Sequence, residues 1–288
     1  MVYTFCISSS MFDCNMMTKN MTQKKLKDLL YLSEKRTIFI GRLTHPQPAP
    51  LFSAAPSFFI STDKEIELID HVNNKTYFSK SFLLPPGIKV SIDTHGAFIS
   101  HGFLDVLGVD LTSLIPKMKK KIPIDQTAAV YSEFHDQEDA IKRIQSIWNS
   151  RPSAKKMFVE LDAWLTKFEP RENFQPDTRV IKAVSIIKEN YTENISVADI
   201  AKQVGLSEPH LCQLFKNTIG IPIRRYRIWH RIYIIAVKMG LGLTLTEAVI
   251  EVGFTDCAQF SRVFKEISGI KPSDILTVKA NADIRILA

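Results

Sequence analysis

The chain has 288 residues, 45% hydrophobic and 23% charged, which excludes a disordered protein, and its 11 Gly and 14 Pro exclude collagen-like or low-complexity classes. The formal net charge of +7 permits a polyanionic partner without demanding one. Cys6, Cys14, Cys212 and Cys257 form no CxxC pair, and no His-x-x-x-His set accompanies them. Their spacing is neither a disulfide framework nor a zinc site, so reduced thiols in a cytoplasmic protein are expected. No apolar run approaches the roughly 18 residues that span a bilayer, so no membrane partner is expected. The first residues lack a basic stretch followed by an apolar one, so no secretory signal is read there. Met16, Met17 and Met21 offer later starts, and residues 1–22 are expected to be a flexible tail.

Residues 23–134 read as a β-rich domain after a short helix at 23–33. Phe, Ile, Val and Thr dominate without a sustained 3.6 period. Strands are expected at 37–43, 57–61, 65–70, 76–81, 89–93 and 97–103. Turn residues separate them: Pro46, Pro48 and Pro50, then Asn73-Asn74, Pro85-Pro86-Gly87 and His95-Gly96. Asn tolerates positive φ, so Asn73-Asn74 reads as a hairpin tip. Short strands at this spacing suggest a small barrel or sandwich. The run Lys117-Met118-Lys119-Lys120-Lys121 reads as a solvated loop. His45, His71, His95 and His101 form no H-x-H-x-E set, and no G-x-S-x-G, P-loop or G-x-G-x-x-G is present. No catalytic residue, metal ligand or cofactor is therefore expected. The Phe-rich strands make a core, with an apolar pocket for a small effector left open.

Residues 135–168 form an expected helix pair. Ala140, Ile141, Ile144, Ile147 and Trp148 share one face over 136–148. Met157, Phe158, Leu161, Trp164, Leu165 and Phe168 share one face over 153–168. Arg151-Pro152-Ser153 breaks between them, with Ser153 as N-cap. The pair packs on the β domain or on a second subunit, which makes it a candidate dimerisation element. The polar, Pro-bounded stretch 169–176 reads as a linker.

Residues 177–276 are expected to be helical throughout and contain an internal repeat. Ile200-Ala201-Lys202-Gln203-Val204-Gly205-Leu206-Ser207 is followed by Leu211, Leu214, Phe215 and Gly220. Ala248-Val249-Ile250-Glu251-Val252-Gly253-Phe254-Thr255 is followed by Phe260, Val263, Phe264 and Gly269. Each copy reads as a helix-turn-helix. A Gly at the turn takes the left-handed conformation. An apolar residue (Leu206, Phe254) plugs the turn, and a hydroxyl residue (Ser207, Thr255) caps the second helix. The first unit is placed at 196–218 and the second at 245–267. A linker helix at 222–239 starts at Pro222 and stops at Gly240 and Gly242. Arg224, Arg225, Arg227 and Arg231 lie along it as a candidate basic stripe for phosphates. An αα-hairpin with a Gly turn also occurs in proteins that bind no DNA. The duplication and the basic helix favour a DNA reader.

The stretch Gly253-Phe254-Thr255-Asp256-Cys257-Ala258-Gln259-Phe260-Ser261-Arg262-Val263-Phe264-Lys265, continued by Gly269-Ile270-Lys271-Pro272-Ser273, closely resembles the second-motif signature of the AraC/XylS family of bacterial transcription regulators. Val249 departs from that family's usual Ala, and Cys257 from its usual polar residue. The resemblance covers about 100 residues and implies an α+β architecture. An N-terminal cupin-like all-β effector domain with the helix pair precedes an all-α DNA-binding domain of two helix-turn-helix motifs joined by a linker helix. A C-terminal tail at 277–288 is expected to follow.

By position in that family, Pro209, Cys212, Gln213, Cys257, Ala258, Ser261 and Arg262 are the expected base readers. Gln213 suits adenine and Arg262 suits guanine. Ser196, His210, Lys216, Thr255, Gln259 and Lys265 are the expected phosphate contacts. The implied function is sequence-specific transcription regulation, activating rather than repressing, by reading two adjacent major grooves of double-stranded DNA and contacting RNA polymerase. A small-molecule effector and a homodimer are left open. The competing readings are a metal-dependent cupin enzyme with a helical appendage and an interaction module without DNA affinity.

Overall fold

A computed structural model describes residues 26–43, 50–126, 128–168, 175–193, 195–268 and 282–287. The tail 1–22, Pro46, Pro48, His45, residues 169–174 of the expected linker and the stretch Gly269 to Ser273 lie outside the described residues. In chain order the strands are β1 Asp28–Leu32, β2 Thr37–Arg42, β3 Leu51–Phe52, β4 Ser57–Ser61, β5 Ile66–Asp70, β6 Lys75–Ser79, β7 Ser81–Leu84, β8 Lys89–Asp93 and β9 Phe98–Phe103. Helix α1 (Asp110–Leu114), strands β10 (Met118–Pro123) and β11 (Ala129–Phe134), and helices α2 (Gln137–Ser150) and α3 (Ala154–Leu165) follow. Six helices come next: α4 Thr178–Glu189, α5 Val197–Gln203, α6 Glu208–Ile219, α7 Ile223–Gly240, α8 Leu245–Glu251 and α9 Cys257–Ser268. Strand β12, Ala282–Ile286, closes the described chain.

An eight-stranded sheet in the order β10-β11-β7-β4-β9-β2-β1-β12 faces a four-stranded sheet in the order β3-β8-β5-β6. Side-chain alternation sends Phe39, Phe59, Phe82 and Ile99 of the large sheet into a core shared with Leu68, Val90 and Ile92 of the small one. Their neighbours Ile38, Ile40, Ile60 and Leu83 point the other way, onto Ile144, Met157 and Phe158 of α2 and α3. Both faces of the large sheet are therefore covered. That explains why Thr37–Arg42 and Ser57–Ser61 carry continuous apolar runs rather than alternation. Asn74 turns the β5–β6 hairpin at φ 52°. Ser153 caps α3 by accepting from the Lys156 amide at 3.3 Å, and Arg151 ends α2 in the left-handed conformation.

Several expectations are corrected. Residues 28–32, expected inside a helix, form β1 instead. Leu29 and Tyr31 are fully buried, and the strand pairs antiparallel with β2 and parallel with β12. Ladder pairing on both edges overrides the helical propensity of the Lys/Leu-rich segment. The expected strand at 76–81 divides at Lys80 into β6 and β7, which belong to different sheets. The lysine run, expected as a loop, is edge strand β10, with Lys119, Lys120 and Lys121 exposed and Ile122 turned into the core. Charge on an edge strand discourages pairing with another chain. The expected C-terminal tail contains β12, the opposite edge of the same sheet.

The helical region is not isolated from the sheets. Phe52, Ala54, Val106 and Leu107 join the core formed by α4 to α9. Phe103 of β9 contacts Trp229 of α7 with ring centroids 4.3 Å apart.

Candidate nucleic-acid interface

The two repeated units fold alike. In each, a Ser or Thr caps the first helix. The Ser196 hydroxyl accepts from the Asp199 amide at 3.0 Å. The Thr244 hydroxyl accepts from the Glu247 amide at 3.3 Å, and Glu247 accepts from the Thr244 amide at 2.7 Å in a reciprocal capping box. Each first helix then ends on a left-handed glycine, Gly205 at φ 71° and Gly253 at φ 84°. The Leu206 amide donates to the Ala201 carbonyl and the Phe254 amide to the Val249 carbonyl, at 2.9 and 3.2 Å. These equivalent bonds turn the chain identically in both copies.

The buried side of each unit is also equivalent. Ile200, Ala201, Leu211 and Phe215 pack in the first, and Ala248, Val249, Phe260 and Phe264 in the second. Val249 is fully buried, so its extra bulk over Ala is accommodated. Helix α7 joins the units with Ile223, Tyr226, Ile232, Ile235 and Met239 in the common core.

The second helices, α6 and α9, turn polar faces outward. Pro209, His210, Cys212, Gln213 and Lys216 are exposed on α6. Ala258, Arg262 and Lys265 are exposed on α9, with Cys257, Gln259 and Ser261 half-buried beside them. Pro209 lies in the first turn, where it costs no hydrogen bond. Some of these groups are already engaged. The Ser196 hydroxyl serves the cap and donates to Asp199 at 2.6 Å. The Ser261 hydroxyl donates to the Cys257 carbonyl at 2.6 Å. The Gln259 side-chain oxygen accepts from the Thr255 amide at 3.0 Å. The α9 cap is Asp256, accepting from the Gln259 amide at 2.7 Å, rather than the expected Thr255. Ser207 occupies the cap position of α6 without a side-chain bond.

Two residues were not singled out from the sequence. Asn217 accepts from the Gln213 amide group at 2.8 Å and so shares its exposed face. Thr246 of α8 accepts from the Cys257 thiol at 3.7 Å. The i, i+4 spacing of Gln213 and Asn217 was the available signal. Thr246 is apparent only once α8 and α9 are packed.

The arginine stripe on α7 is corrected. Arg227 donates to the Ile195 carbonyl at 2.8 Å and Arg231 to the Tyr191 carbonyl at 2.8 Å. Arg225 pairs with Glu266 of α9 at 3.0 Å and lies 3.8 Å from the Phe52 ring centroid. These three bind the domain together, and Arg224 is the exposed member. The guanidiniums of Arg227 and Arg231 are held below the usual value by burial. Asp177, which caps α4, is held down to about 2 by the Arg179 guanidinium and its amide.

In the β domain, Glu67, Asp93 and His95 are the group among the described residues whose ligand atoms come close enough for a metal ion. His95 already bonds Glu67 at 2.9 Å and approaches Asp93 at 3.5 Å, partly exposed. Among the described residues no helix is long and apolar enough to cross a membrane.

Twin helix-turn-helix units thus sit on one connecting helix behind a two-sheet domain. Residues 200–277 match the family model described as a helix-turn-helix domain. The chain is 34% identical over 102 residues to the arabinose operon regulatory protein of Escherichia coli K12, covering 34% of each chain. It is 32% identical over 93 residues to the lactose operon transcription activator of Staphylococcus xylosus, covering 32% of this chain and 33% of that one. The match thus spans about a third of those relatives' length. The fold resembles ToxT from Vibrio cholerae, with a TM-score of 0.57 at 17% identity, covering 85% of this chain and 99% of that one.

Proposed function

We propose that the protein is a sequence-specific DNA-binding transcription regulator whose two reader helices enter adjacent major grooves. One observation carries this reading: α6 and α9 leave equivalent turns and present exposed polar faces while α7 packs its apolar side between their units. Gln213 and Arg262 are the principal base readers. Lys216, Lys265, His210, Ser196, Thr255 and Gln259 contact phosphates. Pro209, Cys212, Cys257, Ala258 and Ser261 shape the base-facing surfaces. Activation through RNA polymerase, control by a small effector and pairing through α2 and α3 complete the proposed mechanism, by analogy with the operon regulators it resembles.

Selection of bound fragments from a random duplex library tests the proposal. Two half-sites about one helical turn apart, roughly 34 Å, are expected. A protein that retains its fold but binds no duplex at low ionic strength overturns it. Gln213→Ala and Arg262→Ala should each cost about 1–3 kcal/mol of specific binding and relax sequence preference at one position.

A further inference from the structure

A cavity of about 140 Å³ lies between the outer face of the large sheet and the α2–α3 pair, on the opposite side of that sheet from the inter-sheet core. Its walls are largely apolar and include Ile40 and Ile60 of the sheet, Ile144 of α2, and Met157 and Trp164 of α3. Ser100 of β9 stands among them. It is only 3% exposed, and both ladder partners are isoleucines, Ile40 on β2 and Ile60 on β4. Among the described residues nothing hydrogen-bonds its hydroxyl, and Ser100 lines the open volume. Ser100 thus offers one hydroxyl, able to donate and to accept, amid largely apolar walls.

The size selects the occupant. A cavity of roughly 150 Å³ lined by Leu, Ile and Phe accepts benzene, so this one accommodates a single aromatic ring. The walls favour a ring over a branched alkyl group. Trp164 offers an aromatic surface and Met157 a polarisable thioether. Trp164 is held in place because its indole N–H donates to Asp139 at 2.9 Å, while Arg143 at the cavity mouth donates to the same carboxylate oxygen at 2.7 Å. That shared partner fixes the aromatic wall of the cavity.

We propose that this cavity binds a small single-ring aromatic molecule carrying one hydroxyl or N–H group, with the ring beside Trp164 and Met157 and the polar atom on the Ser100 hydroxyl. Binding here joins the sheet to the helix pair. Any effect of that union on DNA rests on the regulator reading above; the binding itself does not.

The test titrates the full chain with phenol and with toluene, by calorimetry and by the rise in melting temperature. Saturable binding of phenol is expected. Ser100→Ala should lower the phenol-to-toluene affinity ratio about fivefold, the worth of one net hydrogen bond. Ile144→Phe, which fills the cavity, should abolish both; Ala140→Leu does the same from a second wall if the first variant does not fold. Absence of saturable phenol binding, an unchanged ratio in Ser100→Ala, or full binding in a folded, filled variant overturns the assignment. Duplex binding by the ligand-free protein is measured in parallel. Phenol binding without duplex binding upholds the cavity and removes the regulator reading, and the reverse result does the opposite.

Discussion

Two histidines register the cost of burial. His230 on α7 is 6% exposed at the junction with the sheets, and burial brings its imidazole down to about 4; Lys188 adds to the shift and Glu34 opposes it. His101 is half-buried, stacked on Phe59 at 4.0 Å with Phe103 against its edge, and burial brings it down to about 3. These are bases whose folded values are depressed, so the unfolded chain binds more protons as the solution is acidified. The associated stability is complete above about pH 6.5 and is lost as pH falls toward 4 and 3. For His230 the loss at pH 5 should be about 2 kcal/mol. Melting temperature should fall between pH 7 and pH 5, and His230→Gln should flatten part of that fall; an identical slope in the variant would assign the loss elsewhere. The Thr244 cap makes a separate residue-scale claim: Thr244→Ala should cost about 1 kcal/mol in urea unfolding.

At the scale of elements, α7 separates two roles that its sequence presents as one. Four arginines on a helix read as a phosphate stripe, yet three reach backbone carbonyls or Glu266 in neighbouring elements. Arg224→Ala should therefore reduce the salt dependence of duplex binding by about one phosphate contact. Arg227→Ala should lower stability and leave that slope unchanged. A reduced slope in Arg227→Ala would restore the stripe. The last turn of α7 also carries a steric requirement. A Cβ on Gly240 would lie 2.9 and 3.0 Å from Ile286 and Ile284 of β12. Gly240→Val should thus push β12 from α7 and raise amide exchange in β1, its ladder partner.

The whole molecule is held by contacts from the β domain to the ends of α6 and α9. Pro86 meets Gly220 at the end of α6, where an added Cβ would approach it at 2.9 Å and φ is +88°. Phe52 of β3 lies under Arg225, which in turn holds Glu266 of α9. The two sheets therefore bear on the spacing of α6 and α9. Phe52→Ala should increase amide exchange in α9 and leave α2 unaffected; equal protection in both proteins would show that the contact carries no stability.

The sequence by itself determined the twin helix-turn-helix units, because their information is local. A left-handed glycine, a capping hydroxyl and a 3.6-residue apolar stripe specify a turn wherever the chain folds. The helix pair was legible for the same reason, with Ser153 and Arg151 marking its break. Most strands of the β domain were legible as apolar segments between turns, but not their arrangement. β1, β10 and β12 depend on ladder partners far along the chain, and a strand buried on both faces loses its alternating signature. Only the tertiary structure decided which arginines hold the core, that β12 returns to the first strand, and that Ser100 lines a cavity. Each of these is a relation between residues distant in sequence, and local spacing does not encode which partner will stand opposite.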